Sequence, residues 1–413
     1  MAPKEATIAG VSELDPERLI PSDEFRDRQT RARAAAAEQG LDGLVVWSRG
    51  GGPVDQAADL VYLSNFYTQQ PFIADHVGIG SARCHGALIL PVEGPSILVV
   101  DIPWWRKELT VADDVRPGND VVPLVTDALR SAGLEGRKIG VVGASMMTAA
   151  AYLGMLEGSS TTEFVRADTL IEGLRIYKSE AEVAAIRAAV LLGSAAVSAA
   201  FDVIEPGVTE ADAAAEAAFV IAKAGGAWYD APCGSGPRSH FFTWARMPSW
   251  DARRPMEPGD IFHMDCYGSF GGYYWDFGRV RVAGDEPTDV QLRMMEANIA
   301  IVHAVCEAIR PGVRACDAHA AGAAVAAEHS IVAELAEEAG ETEGFPALGH
   351  GYGVGFEGPW IAPDDETELV PGMAIACETL FGRADVGGTF FEENGVVTED
   401  GFEILSDVRE RWW

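Results

Sequence analysis

The sequence predicts an α/β domain followed by an α+β domain with an internal pseudo-twofold repeat. Three observations predict it. The chain has 413 residues, which suits two compact cores better than one at roughly 100 to 200 residues per domain. Short apolar runs alternate with helical stretches over about the first 170 residues, the pattern of strands interleaved with helices. Beyond them the sequence repeats itself. Apolar residues make up 48% of the chain and aromatics 9%, enough to build cores and to exclude global disorder.

The elements follow in order. Glu24 to Gln39 reads as a charged helix, and LDGLVVWS (41–48) as a buried strand bounded by Gly. Similar apolar runs recur at HGALILPVEGPSILVVD (85–101) and RKIGVVGAS (137–145). Three glycines at 50–52 follow a strand, but no GxGxxG opens a helix there, so a nucleotide loop is not expected. Ser179 and Glu182 form a capping box before a long Ala-rich helix running to about Ile204. The boundary is placed there, giving domains 1–174 and 175–413.

Charge and cysteine usage narrow the function classes. The chain carries 31 Lys plus Arg against 63 Asp plus Glu, a net charge of −32, which repels phosphate backbones and argues against a nucleic-acid partner. There is no run of 18 apolar residues, and the N-terminus is acidic where a signal peptide is basic. The expectation is a cytoplasmic protein without a membrane partner. The six cysteines show no CxxC spacing and read as buried free thiols.

The repeat is the most informative feature. EPGVTEADAAAEAAFVIAKAG (205–225) is echoed by RPGVRACDAHAAGAAVAAEHS (310–330): a Pro-Gly-Val turn, then an Ala-rich helix. Each half then reaches a second Pro-Gly that opens an apolar strand. A carboxylate follows that Pro by seven residues, Asp265 in one half and Glu378 in the other. A further strand in each half is led by a carboxylate, Asp276 and Glu392. Two copies of one unit, each delivering two acids from neighbouring strands, imply four carboxylates converging on a pseudo-twofold axis. Buried anions gathered without a cation cost many kcal/mol or take up protons, so the arrangement calls for metal. Oxygen ligands with one imidazole, His350 in LGHGYGVGFEGPW, suit a dinuclear site of Mn, Fe, Co or Zn.

These residues resemble the creatinase, aminopeptidase P, prolidase and methionine aminopeptidase superfamily, whose catalytic domain is the pseudo-symmetric pita-bread fold. DLVYLSNFYT (59–68) resembles the family's N-terminal domain motif, and RIYKSEAEVAAIRAA (175–189) its interdomain marker. The resemblance implies the ligand set Asp265, Asp276, His350, Glu378 and Glu392. Glu393 rivals Glu392. The preference for Glu392 rests on its spacing to Thr398 and its alignment with Asp276 in the repeat. All five ligands are present, unlike in creatinase itself, which favours metal catalysis. In such a site a water between the ions loses its proton near neutral pH, and Glu378 is assigned the proton transfer.

Departures from the family bear on the substrate. Proline-specific members resemble one another in histidines seven residues after the ligand His and four before it; here these positions hold Glu357 and Pro346. A one-residue deletion would instead place Phe356 at the first of them. His240 is the candidate for the family's upstream substrate histidine. Aromatics cluster around the inferred site: Trp244, Trp250, Tyr273, Tyr274, Trp275 and Trp360, with Trp104 and Trp105 in the first domain. Trp104, Trp244, Tyr273 and Trp360 are taken as substrate-binding, because aromatic rings hold quaternary ammonium or sulfonium groups. Arg246, with Arg238 and Arg253, is the candidate anchor for a substrate carboxylate.

The expected reaction is hydrolysis of a C–N bond in a short peptide or small amide by hydroxide generated between two divalent ions. The resemblance also implies a homodimer in which the partner subunit's first domain closes the pocket, with Trp104 or Tyr67 reaching across. The runner-up is a lyase similar to the metal-dependent dimethylsulfoniopropionate lyases, with Glu357 as base. Those lyases carry an Asp two residues after the first ligand, where this chain has Tyr267. A non-catalytic binding protein on the same fold is the third reading, and the intact ligand set argues against it.

Overall fold

The computed structural model describes residues 11–413 except 12, 52–53, 69–72, 242–245, 285 and 340–346, and omits the side chains of 54–55, 229 and 335–339. The chain divides into two compact units. One spans Ile20–Arg175; the other comprises Ile176–Trp413 together with the described residues that precede Ile20, which the sequence expectation had grouped with the first domain.

The Ile20–Arg175 unit is an α/β layer. Its strands are β1 (Gly43–Arg49), β2 (His85–Pro91), β3 (Ile97–Val100), β4 (Asp114–Pro117), β5 (Lys138–Val142) and β6 (Glu163–Arg166). They form one mixed sheet in the order β4-β3-β2-β1-β5-β6. The apolar run at 85–101 is a hairpin, β2 pairing antiparallel with β3, whereas β1 pairs parallel with β5. β1, β2 and β3 are almost wholly buried, which accounts for their continuous rather than alternating hydrophobicity. Helices α1 (Ser22–Glu38), α2 (Ala58–Ser64), α3 (Val121–Ser131), α4 (Ala149–Gly158) and α5 (Asp168–Arg175) complete the unit. Val121, Val125 and Leu129 of α3 and Met155 of α4 pack on Val45, Trp47 and Ile89 of the sheet.

The second unit carries the repeat. In its first half α6 (Glu180–Asp202) and α7 (Glu210–Ala224) precede β7 (Ala227–Asp230), β8 (Cys233–Ser235) and a long hairpin of β9 (Ile261–Phe270) and β10 (Tyr273–Val282). In its second half α8 (Asp289–Ala308), α9 (Ala315–Glu328) and α10 (Ser330–Ala339) precede β11 (Gly349–Tyr352), β12 (Phe356–Trp360) and the hairpin of β13 (Ala374–Arg383) and β14 (Gly387–Val397), closed by β15 (Phe402–Ile404). The expected capping box starts α6: Ser179 accepts from the Glu182 N–H, and the Glu182 carboxylate reaches back to the Ser179 N–H. By length and apolarity α6 would cross a membrane, yet most of its residues are buried inside this unit. The four Pro-Gly pairs of the repeat place Gly207, Gly259, Gly312 and Gly372 at positive φ, which glycine adopts without a Cβ penalty and which a Pro-Gly turn needs at its third position.

Two sheets result, β10-β9-β7 with β8 on β9, and β12-β11-β13-β14-β15. The hairpin strands β10 and β14 pack against each other. A Cβ at Gly278 of β10 would stand 2.4 Å from the Phe390 ring of β14, so only glycine permits this approach.

Candidate metal centre

Strand register decides which acids can meet, because alternate residues face opposite sides of a sheet. Asp265 pairs with Gly278 across the β9–β10 hairpin, and Asp276 is two residues from Gly278, so both aspartates share a face. Glu378 pairs directly with Glu392 across β13–β14. His350 on β11 pairs with Ala376, two residues from Glu378, which puts the imidazole on the same face as the two glutamates. The four acids singled out from the repeat, with His350, therefore lie on the facing surfaces of two packed hairpins and one neighbouring strand.

Side-chain geometry agrees. Ligand atoms of Asp276, His350 and Glu392 lie within 4.8 Å of one another. His350 Nε2 stands 3.4 Å from Asp276 Oδ2 and 3.7 Å from Glu378 Oε1, while its Nδ1 lies 3.1 Å from the Gly351 carbonyl. A proton on Nδ1 leaves the Nε2 lone pair directed at the carboxylates. The carboxyl groups of Asp265 and Asp276 lie close enough to act on one another directly. Glu378 is the most open of the set, its side chain 13% exposed.

The electrostatics are those of a site built for cations. Asp265 Oδ1, Asp276 Oδ1 and both oxygens of Glu392 are buried without a hydrogen-bond partner among the described residues. Burial, reinforced by Asp276, holds the Asp265 carboxyl well above the usual carboxylate range. Burial pushes Asp276 up to about 7. Glu378 is pushed up to about 8, mainly by burial, with His350 opposing and Asp276 and Asp265 adding to the rise. Burial and the neighbouring Asp276, Glu378 and Asp265 raise Glu392 well above its ordinary value. Four carboxyl groups that burial would otherwise protonate, several of them aimed at no donor, fit divalent cations, and oxygen-plus-imidazole donors suit Mn, Fe, Co or Zn.

Glu393, the rival of Glu392, faces the other way. Its Oε1 accepts from Arg279 Nη2 at 2.8 Å and its other oxygen from Ser406. Arg279 is fully buried, also donates to the Glu392 and Gly278 carbonyls, and lies 4.4 Å from the Phe391 ring centroid. Neighbours on a strand cannot both reach one face, and the guanidinium holds Glu393 behind β14.

Other expected residues fall in varied settings. Glu357 is a buried partner of Lys178, the two side chains 0% and 1% exposed. Arg246 is paired with Glu210 and Asp251, and Arg238 with Asp251. Tyr273 is buried and donates to Glu182; Tyr274 and Trp275 are core residues, Trp275 lying against Gly193 of α6. Trp360 is 41% exposed with its ring centroid 5.7 Å from that of His350. Trp250 packs edge-on against Trp228. Trp104, in the other unit, is 73% exposed. The backbone of His240 lies against Gly382 and Gly388, and its Nδ1 is buried without a hydrogen-bond partner among the described residues. Trp244 and Pro346 lie outside the described residues.

Two residues that sequence reasoning missed support the centre. Asn394, two residues beyond Glu392, accepts from the Asp276 N–H at 2.9 Å and donates to the Asp276 carbonyl, clasping the two hairpins beside Asp276 and Glu392. Its signal was its place in the repeat, where it stands two residues after Glu392 as Gly278 stands two after Asp276. Arg279 is the other; nothing in an arginine on a strand announces burial.

Fold and site together define a pita-bread, metal-dependent hydrolase. Residues 184–399 match the model of metallopeptidase family M24, and residues 28–177 that of the creatinase/prolidase N-terminal domain. The chain belongs to metallopeptidase family M24. It is 30% identical to the Xaa-Pro dipeptidase of Pyrococcus furiosus over 256 residues, 60% of this chain and 68% of that protein. It is 28% identical to the probable dipeptidase PepE of Mycobacterium tuberculosis over 406 residues, 93% of this chain and 95% of that protein. The crystal structure of dipeptidase PepE from Mycobacterium ulcerans superposes with a TM-score of 0.74 at 28% identity, covering 95% of this chain and 98% of that one.

Proposed function

We propose that the protein hydrolyses a C–N bond in a short peptide of dipeptide size, using two divalent metal ions held by Asp265, Asp276, His350, Glu378 and Glu392. The observation that carries this reading is the gathering of four carboxyl groups, three of them buried, about one imidazole, with four oxygens that no donor among the described residues satisfies. Four carboxylates balance the charge of two divalent cations, which one ion would leave half compensated. When bound, the ions supply Lewis acidity toward a carbonyl oxygen and toward water. Similarity to an Xaa-Pro dipeptidase and to PepE supports a dipeptide substrate.

The protein's own groups do the rest. His350 is oriented by its contact with the Gly351 carbonyl. Asn394 fixes the backbone of Asp276. Glu378, the ligand nearest to solvent, accepts the proton from the attacking water and returns it to the leaving amine. The lyase reading finds less support, since Glu357, which it needs as base, spends its carboxylate on Lys178.

The test is metal analysis of the purified protein with reactivation by Mn, Co, Zn or Fe on an Xaa-Pro dipeptide and on a dipeptide without proline. The expected result is about two ions per chain and metal-dependent cleavage, both lost in Asp276→Ala. Full activity in a metal-free preparation, or release of dimethyl sulfide from dimethylsulfoniopropionate with no dipeptide cleaved, would refute it.

A further inference from the structure

Tyr352 ends β11 with its phenol wholly buried and, among the described residues, with no hydrogen-bond partner for its hydroxyl. A buried tyrosine hydroxyl is ordinarily satisfied, because a dry, unpaired polar group loses its hydration and gains nothing in return. A core position that needs only the ring is served by phenylalanine without that penalty. The hydroxyl therefore calls for a role beyond packing.

Strand geometry places it on the metal side. Alternate residues of a strand share a face, so Tyr352 lies on the side of β11 that carries His350. His350 pairs with Ala376, which is two residues from Glu378 and pairs in turn with Asn394, two residues from Glu392. The phenol, the imidazole and both glutamates thus belong to one face of the sheet. The next residue, Gly353, accepts through its carbonyl from the Tyr274 N–H at 2.8 Å, which brings the end of β11 to β10 two residues before Asp276. Burial, reinforced by Cys377, Glu392 and Asp276 and opposed by Arg187, holds the phenol well above its ordinary value. Two of the acids in whose field it lies are ligand candidates.

The carboxylate in want of a donor is Glu392. Both of its oxygens are buried without a hydrogen-bond partner among the described residues, and other donors around it are engaged. The Asn394 amide donates to the Asp276 carbonyl. Arg279 lies behind β14 with Glu393. His350 Nε2 faces Asp276 and Glu378. Arg187 of α6 is paired with Glu403 through two contacts of 2.6 Å. A carboxylate that ligates a metal is commonly hydrogen-bonded as well, which fixes its orientation. A phenol is a protonated donor near neutral pH.

We infer that Tyr352 is a positioning residue of the metal centre, its hydroxyl donating to the Glu392 carboxylate when that group holds an ion. The inference rests on the metal-dependent reading proposed above and gives a task to a residue that is itself no ligand. It carries a sign: the hydroxyl is unfavourable in the metal-free chain and favourable in the loaded one, so its removal acts oppositely on the two.

The test is Tyr352→Phe, read by competition with a chelator for zinc or manganese and by melting curves of the metal-free and loaded forms. Metal affinity should fall by about 10- to 100-fold, while the metal-free variant melts no lower than its parent. Zinc is itself spectroscopically silent; loading the parent with it should alter tyrosine absorption, and that component should be missing from the variant. Tyr62→Phe, at a buried tyrosine of the other unit, is the control, with metal affinity equal to the parent's. An affinity of Tyr352→Phe within about twofold of the parent, or melting lowered equally with and without metal, overturns this inference alone. A parent that binds no metal overturns it together with the reading on which it rests.

Discussion

Replacing Glu393 and replacing Glu392 should have opposite consequences, although the two residues are neighbours in sequence. Glu393 is the carboxylate partner of Arg279, whose guanidinium is wholly buried. Removing one member of a buried ion pair costs about 3 to 5 kcal/mol, because the other charge stays behind uncompensated. The carbonyls of Gly278 and Glu392 and the Phe391 ring still face the guanidinium, which points to the lower end, about 3 kcal/mol. Ser406 loses the nearer of its two acceptors as well, about 1 kcal/mol more. For a unit of this size each kcal/mol is worth roughly 2 to 4 °C, so Glu393→Ala should melt about 8 to 16 °C lower. Its metal content at room temperature should be that of the parent. Glu392→Ala removes a buried carboxyl with two unsatisfied oxygens, so the metal-free protein should melt no lower than its parent, while metal content falls. The assay is a thermal melt of metal-free and metal-loaded protein beside elemental analysis. Loss of metal in folded Glu393→Ala, with retention in Glu392→Ala, would show that the ligand assignment is reversed.

Four further outcomes follow from the same reasoning. Lys178→Met should destabilise the protein by about 3 kcal/mol, and the double change Lys178→Met with Glu357→Leu should recover most of that loss; a double variant as unstable as the single one would contradict the pairing, as read by urea midpoints. Asn394→Leu should weaken metal affinity by roughly 10- to 100-fold, since it frees the Asp276 backbone, measured by competition with a chelator, and an unchanged affinity would remove Asn394 from the centre. Metal at about a hundred times its dissociation constant should stabilise the protein by roughly 2.7 kcal/mol, and a melting temperature indifferent to chelation would count against a folded-state site. His85 accepts a hydrogen bond from Trp47 Nε1 at 2.7 Å, and burial, helped by Arg49, lowers it to about 4. The folded ring thus resists a proton that the unfolded chain takes up near pH 6.5, so stability is complete above that pH and is lost as pH falls toward about 4, by up to about 3 kcal/mol. His85→Gln should flatten that part of the stability curve, and an unaltered slope would exclude His85 as its source.

Much of the architecture could be read from the residues because the relevant signals are local or repeated. The capping box at Ser179 and Glu182 marks its helix by itself. Buried strands such as β1 announce themselves as unbroken apolar runs. The aligned carboxylates of the two halves pointed to one centre, because a strand places every second residue on one face and a repeat copies that placement.

What sequence could not supply depends on contacts between distant segments. Arg246 and Glu357 were assigned to substrate from their types and positions, yet each is held in an ion pair, with Glu210 and Lys178 respectively, and no local pattern reveals a partner 36 or 179 residues away. The aromatic cluster divides in the same way: Tyr273, Tyr274 and Trp275 are buried, whereas Trp360 and Phe356 are exposed beside His350. The sequence alone determined the two-domain organisation, the repeat and three of the converging acids, leaving Glu392 and Glu393 as rivals for the fourth, since periodicity and spacing are properties of the chain. Only tertiary structure decided that Glu393 faces Arg279, that Asn394 joins the hairpins, and that Phe356 and Trp360 lie beside the same imidazole, because packing chooses which of two adjacent side chains is buried and against what.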